Sequence, residues 1–481
     1  MWMMVPFLLN SLLNFVVSLL VAKFLGPSEY GRFVLALSVA IVLQTLIFDW
    51  LRLAATRFYS ERDRLERPQI RATLDASFIA LAALVVVAAF LLWFLRLDLP
   101  LSHDLAALAV AASISNGLFD FASALVRARF HDRAYSALVI AKNILAFTLT
   151  VGGAYLFRSA NIAIVGMMMS VAGSLIFGRG ALIDPNTGVR AADRHLAFRF
   201  LAYGLPIVLA NVLYQTVPLI NRTLVSQVNG FAEVGQISLA FETGIRIVGA
   251  IGSAIDVILF QIAVHTEKND GVDAARAQIS RNLGVVFAVV APSVAGCWLI
   301  LPSFEALFVP ENFRGPFGHY FALMTPGLFA YGMINYGVNT AFQISHKLSP
   351  LIIAALVASV ANSLSVTLLP ATADATRFAY AQSISTCSGL VALVLMLFLL
   401  EPMWPRARDI FGAFAACVAM LAASAPMRGF APGVFTLFGQ MTVGVIVYGA
   451  VAYAFDVVGL RSMIAPRLAA RVRRLRRAPA Q

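Results

Sequence analysis

"LGPSEYGRFVLA", residues 25 to 36, is a short polar turn set between two long apolar runs, and a related stretch, "NGFAEVGQISLA", returns at residues 229 to 240. Aligned without gaps, the two share Gly26 with Gly230, Glu29 with Glu233, Gly31 with Gly235, Leu35 with Leu239 and Ala36 with Ala240. Five identities in twelve positions carry little alone. Their weight depends on where the two turns fall among the apolar runs.

Those runs fill most of the chain. Of 481 residues, 60% are hydrophobic and only 12% charged, against about 25% charged in an ordinary soluble chain, and the mean hydropathy is +0.83. A water-soluble core cannot hide that much apolar surface, so the composition points to a polytopic membrane protein. Stretches such as "FIALAALVVVAAFLLWFL" (78 to 95) are long enough to cross a hydrocarbon layer about 30 Å thick as helices. They lack the alternation of polarity that a membrane β-barrel requires. The expected fold is all-α, with about fourteen transmembrane helices.

The spans that matter most below are the first at 4 to 25, the second at 33 to 51, the seventh at 201 to 221 and the eighth at 235 to 263. The first has no basic leader and ends in "KFLGPSEY" rather than a small-residue cleavage site, so it reads as a retained span and not a signal peptide. Cys297, Cys387 and Cys417 sit in apolar runs without disulfide or zinc spacing and read as packing residues. Lys and Arg number 26 in one set of alternate connections and 8 in the other when Lys23, at the end of the first span, is included. Because they accumulate on the cytoplasmic side, both termini are expected to be cytoplasmic and the 25–36 turn to face outward. The tail "RSMIAPRLAARVRRLRRAPAQ" has seven Arg and no acid, which suits a topology signal touching anionic membrane lipids at about 1 kcal/mol per charge. No nucleic-acid partner is expected.

Each of the two turns joins the first and second helices of a block of six spans, as in an internally duplicated transporter. An even number of spans per block gives both halves the same orientation. The expected domains are an N-terminal lobe at 1–199, a C-terminal lobe at 200–400, and two extra spans with the basic tail at 401–481. Glycine suits the turns because tight reversal demands positive φ and close backbone approach. Glu29 and Glu233 are expected near the start of the returning helix, where a carboxylate meets the positive end of the helix dipole.

"FLGPSEYGRFVLALS", its echo "NRTLVSQVNGFAEVGQISLAFE", and the stretch from "LFQIAVHTEKNDG" to "FVPENFRGP" resemble the polysaccharide-transporter (O-antigen flippase type) branch of the multidrug/oligosaccharidyl-lipid/polysaccharide exporter superfamily. The resemblance implies two six-helix lobes forming a V, two extra C-terminal helices, and alternating access that moves a polyprenyl-pyrophosphate-linked oligosaccharide between leaflets. The chain departs from such relatives at Asn221, where Asp often precedes the Arg of the seventh span, and at Gln261, where Pro is common.

Charge inside a bilayer is costly and usually faces a cavity or the bundle interior, so each such residue is a candidate. On the eighth span Glu242, Arg246, Gly249, Ser253 and Asp256 share an arc of roughly 80° at about 100° per residue, a polar stripe suited to lining water. The competing reading pairs Glu242 with Arg246 one turn away, a purely stabilising contact. Asn211, Gln215 and Arg222 on the seventh span, with Asn10 and Asn14 on the first, offer amides to sugar hydroxyls, or hold helices together. Arg222, near a span end, is placed to snorkel to the surface. Asp120 and Lys142 flank the turn at His131 and are expected at similar depth as a salt bridge. Lys142, with Arg127, Arg129 and Arg133, could also attract a diphosphate.

No large hydrophilic loop, metal spacing or phosphate-cradling motif is present in the sequence, so neither an enzyme nor a cofactor or metal site is expected. The leading reading is a bacterial inner-membrane flippase of lipid-linked oligosaccharide for O-antigen, capsule or exopolysaccharide assembly, with a coupling cation and polymerase or glycosyltransferase machinery as further partners. The rivals are a cation-coupled multidrug antiporter, for which Asp49, Asp75 and Asp120 would be the acidic candidates, a lipid II flippase, and a non-transporting scaffold of a polysaccharide synthase.

Overall fold

The first long helix breaks at Gly26. In the computed structural model, which describes residues 4–95, 102–183, 188–344, 349–400 and 403–462, the helix Met4–Phe58 is interrupted at Gly26, with φ 71° and ψ 172°. That region of backbone space is essentially closed to residues with a Cβ. Gly230 has φ 88° and leads into the helix Phe231–Asp270 in the same way. A Cβ on either glycine would meet nothing within 4 Å. Torsion, not space, demands glycine at these two positions.

The second glycine of each turn answers the opposite need. A Cβ on Gly31 would collide with the carbonyl oxygen of Phe231, and one on Gly235 with the carbonyl oxygen of Pro27. Since 27 corresponds to 231 and 31 to 235 in the repeat, the contact is reciprocal: the two turns pack on each other backbone to backbone, as equivalent patches do across a two-fold axis. Around this contact the Arg32 guanidinium lies 5.3 Å from the centre of the Phe231 ring. The buried Tyr30 meets the buried Phe313 edge to face at 5.8 Å.

Glu233 lies in the first turn of the returning helix, as expected, and both Glu29 and Glu233 also reach the starts of other helices. Glu29 Oε2 accepts a 2.9 Å bond from the Ala160 amide, the first residue of the sixth span, Ala160–Phe177. Glu233 Oε2 accepts from the Tyr320 hydroxyl at 2.6 Å, and the same hydroxyl oxygen accepts from the Ala375 amide at 3.1 Å, just ahead of the twelfth span, Thr376–Leu400. Each turn is therefore tied to the last span of its own block, directly in the first and through a tyrosine in the second.

Twelve of the described helices are long and apolar enough to cross a membrane. The first of them holds two spans either side of Gly26. A further apolar helix, Pro316–Met333, continues through a π-helical turn at Ile334–Val338 into Asn339–Ile344. Counted so, the spans are fourteen, and no strand occurs among the described residues. The basic tail beyond residue 462 lies outside the described residues.

Packing draws two compact units that cut across the expected lobes: one is 1–243 with 310–320 and 355–385, the other 244–309 with 321–354 and 386–481. The reciprocal turn contact explains the first, because it fastens one end of the seventh to twelfth spans onto spans one to six. Its core holds Phe48, Leu51, Leu74, Leu125 and Phe200, with Phe78 sandwiched between Phe48 at 4.9 Å and Phe121 at 5.6 Å. In the second unit Ile279, Leu283, Phe342, Leu393 and Leu397 form the centre. The last two spans, Ala407–Ser424 and Val434–Ala454, pack there beside Phe287 and Ala288, and Tyr448 donates its hydroxyl to the Ala288 carbonyl.

Gly26→Ala should cost about 1–3 kcal/mol, the range for backbone forced into such a region, and Gly31→Ala should cost more because two backbones must part. Gly449, with open space around its Cα and a helical backbone, is the control. Thermal unfolding of the purified variants should show midpoints falling for the first two and unchanged or raised for Gly449→Ala.

Candidate substrate pathway

The polar residues singled out in the sequence fall into three groups. At the end of the first unit that carries the two turns, Arg222 is 7% exposed. It does not snorkel to the surface: Nη1 donates to Ser38 Oγ and Nη2 to Glu242 Oε1 at 2.7 Å. Positions 38 and 242 are themselves 204 residues apart, so one guanidinium grips the same place in both copies of the repeat. Arginine suits this task because its planar fork presents donors in fixed directions. Ser38 accepts from Arg222 and donates its own proton to the Val34 carbonyl at 2.8 Å. Glu242 thus takes a partner from the seventh span, which the helix-local pairing with Arg246 did not anticipate.

Beside Arg222, the buried Asn221 exchanges two amide bonds with Asn362, at 3.0 and 2.9 Å. It also donates to Gln382 at 2.9 Å. Three neutral side chains thereby join the seventh, eleventh and twelfth spans. Further along the seventh span Asn211 is half-buried and Gln215 exposed. On the first span Asn14 is half-buried, the Ser18 and Tyr30 hydroxyls lie 3.4 Å apart, and the Asn10 side chain lies outside the described residues.

In the second unit, the continuation of the eighth span carries Arg246, Ser253 and Asp256, all half-buried. Asp256 Oδ1 accepts from the Thr340 hydroxyl at 3.2 Å. Tyr336 packs beside this stripe: Gly249, within it, faces the Tyr336 hydroxyl, and a Cβ on the neighbouring Gly252 would collide with the Tyr336 ring. Ser253 spends its hydroxyl proton on the Gly249 carbonyl. Tyr336 sits in the π-helical turn Ile334–Val338. Such a turn shifts the side-chain register of a helix and recurs at functional sites.

In the first six spans the acidic residues each meet a donor. Asp120 Oδ2 accepts from Gln44 at 2.6 Å, and Lys142 Nζ lies 4.9 Å from the centre of the Phe119 ring. Asp120 also lies in the field of Arg52, Asp49 and Lys142. Asp49 is bound by both arms of Arg52, at 2.6 and 2.9 Å, and Asp75 by Arg71 at 2.7 Å. Of the arginines beside the His131 turn, Arg129 is a buried brace, donating to Glu61 and to the Ala181 carbonyl. Its guanidinium holds the Glu61 carboxyl below the usual carboxylate range. Arg127 lies over the Tyr135 ring at 5.6 Å.

Ser38, Gln44, Asn362, Gln382, Tyr336 and Thr340 were not singled out in the sequence. Ser38 alone left a trace there, since extending the repeat alignment by two residues pairs it with Glu242.

Solved structures with this fold are carriers. One is the lipid II flippase MurJ in an inward closed conformation, with a TM-score of 0.74 and 14% identity over 96% of this chain and 99% of that one. Two others are multidrug resistance MATE family transporters of the MOP superfamily. The inward-facing one has a TM-score of 0.57 at 14% identity, covering 82% of this chain and 95% of its own. The outward-facing one has a TM-score of 0.54 at 13% identity, covering 83% and 95%. No protein-family model and no curated protein matches the sequence. The chain is a multi-pass integral membrane protein with the fold shared by these flippases and transporters.

Asn221→Ala would strand the Asn362 and Gln382 amides in a buried place, a loss of about 1–3 kcal/mol for an unsatisfied buried polar group. A double-mutant cycle of Arg222→Met with Glu242→Gln should give a coupling of roughly 0.5–3 kcal/mol. Unfolding midpoints in detergent check both, and a cycle that closes at zero would show that the Arg222 to Glu242 pair contributes nothing.

Proposed function

We propose that this protein is a bacterial inner-membrane flippase that carries a polyprenyl-pyrophosphate-linked oligosaccharide repeat unit from the cytoplasmic to the outer leaflet, for O-antigen, capsule or exopolysaccharide assembly. The observation that carries this reading is the likeness of nearly the whole chain to a lipid II flippase, together with the resemblance of its sequence to polysaccharide transporters. The chain acts as a carrier without catalysis, both termini are cytoplasmic, and residues 1–199 and 200–400 are its two lobes. A polymerase or glycosyltransferases supply and consume the cargo. Amides at Asn10, Asn14, Asn211 and Gln215 face sugar hydroxyls during passage, while Lys142 meets the diphosphate at entry. Arg246, Ser253 and Asp256 line the second lobe's share of the route.

The packed turns close the outer end in this reading. Gly31 against Gly235 and Arg222 between Ser38 and Glu242 hold the lobes together while cargo enters from the cytoplasm, and both must separate to release it. A second reading, a cation-coupled multidrug antiporter, is supported by the MATE likeness. The Arg partners of Asp49 and Asp75 weigh against those carboxylates as cation sites. The third, a lipid II flippase proper, draws directly on the MurJ likeness.

The deciding experiment locates the lipid-linked repeat unit in cells depleted of this protein, with an impermeant glycan label applied to intact cells and to lysates. A pool confined to the cytoplasmic leaflet and restored by the wild-type gene is expected, whereas an unchanged outer-leaflet pool would overturn the reading. Rescue of peptidoglycan synthesis in a strain lacking its own lipid II flippase would move the substrate to lipid II, and drug resistance on overexpression would favour the antiporter. A double variant Arg32→Cys with Phe231→Cys, linked by a short bifunctional thiol-reactive reagent, should block transport, and the single variants treated alike should not.

A further inference from the structure

Away from the pathway residues, the first unit has a cavity of about 340 Å³ between the third, fourth and sixth spans, within the range of about 300–1,000 Å³ typical of ligand pockets. Its two ends differ in chemistry. Arg71 and Asp75, in the opening turns of the helix Pro68–Phe94, form the polar end, and Phe78, Leu118, Phe121 and Leu175 wall the remainder. From Arg71 to Ile79 the third span advances about 12 Å at 1.5 Å per residue. Ile79, also at the cavity, is 58% exposed on the apolar outside of its helix, so the cavity opens towards lipid. A polar pole, an apolar body and a sideways mouth fit an amphiphile.

The charges at the pole determine which amphiphile. Arg71 is held from three sides: Nε donates to Asp75 at 2.7 Å, Nη2 points to the Leu182 carbonyl at 3.4 Å, and the guanidinium lies 5.9 Å from the centre of the Phe121 ring. Its side chain is 10% exposed, whereas that of Asp75 is 29% exposed. Asp75 is thus the more accessible of the two charges. A carboxylate has about four lone-pair positions, and only Oδ2 is used by the guanidinium. The position invites a cation with hydrogens to donate.

We propose that this cavity binds an amphiphile with a primary ammonium head, seated on Asp75, and an apolar chain lying along Phe78, Leu118 and Leu175. Two sources share that chemistry: the ethanolamine headgroup of a membrane phospholipid, and a long-chain amine arriving from solution. The site is separate from the proposed cargo route and does not depend on which cargo the protein moves.

The test uses the full-length protein, purified and placed in nanodiscs of phosphatidylethanolamine, of N-acetylated phosphatidylethanolamine, or of phosphatidylglycerol, then released for native mass spectrometry. Retention of phosphatidylethanolamine at least tenfold above the other two is expected, with displacement by dodecylamine. Dodecylamine binding without retention of phosphatidylethanolamine would keep the site and assign its ligand to solution. Asp75→Asn and Leu118→Trp, which remove the carboxylate and fill the cavity, should each reduce binding at least tenfold. Equal retention of phosphatidylglycerol, no binding of either amine, or variants that bind as the wild type does would overturn the proposal. If Asp75→Asn fails to fold, the three headgroups compared on the wild-type protein still decide.

Discussion

Everything at one end of this protein depends on two backbones touching. The carbonyls of Pro27 and Phe231 occupy the space where Gly31 and Gly235 would have carried side chains, and in a membrane, where no hydrophobic force draws helices together, such close van der Waals contact is a main source of association. With the turns in contact, Ser38 and Glu242 come within reach of one guanidinium, Tyr30 reaches Phe313, and Arg32 reaches Phe231. Any residue larger than glycine at 31 or 235 would separate these groups together. The repeated turn is therefore both a hairpin and half of an interface.

The hairpins were legible in the sequence because a short-range pattern dictates them: apolar runs of membrane length and a glycine at each reversal. The roles of Gly26 and Gly230 followed from torsional geometry alone. What could not be read was which repeats meet. Similarity at an offset of 204 shows that two segments are alike and leaves open whether they touch, so the partners of Gly31 and Gly235 emerged only in three dimensions. The same limit hid the tethers of Glu29 and Glu233, whose partners lie 131 and 87 residues away.

Among the pathway candidates the contacts that sequence does not show share one cause, that periodicity describes a helix in isolation. The seventh span was ended at residue 221 because Arg222 is charged. The helix runs on to Val228, since Glu242 neutralises that charge and lets it stay buried. Beside the stripe on the eighth span, Gly249 and Gly252 receive Tyr336, delivered by a π-helical turn that leaves no mark in the spacing of apolar residues. Asp120 and Lys142, matched by depth, do lie within each other's field, while Asp120 also accepts from Gln44, an uncharged residue on another helix that depth does not point to.

The grip of Arg222 on positions 38 and 242 also bears on how alike the two halves can be. A group that touches equivalent points in both halves sits close to the axis relating them, and an axis has room for one guanidinium. The first half has Ser18 where the second has Arg222, and Ser38 where the second has Glu242. The ion pair near that axis therefore marks a place where the two copies are not alike: the second supplies both charges and the first two hydroxyls.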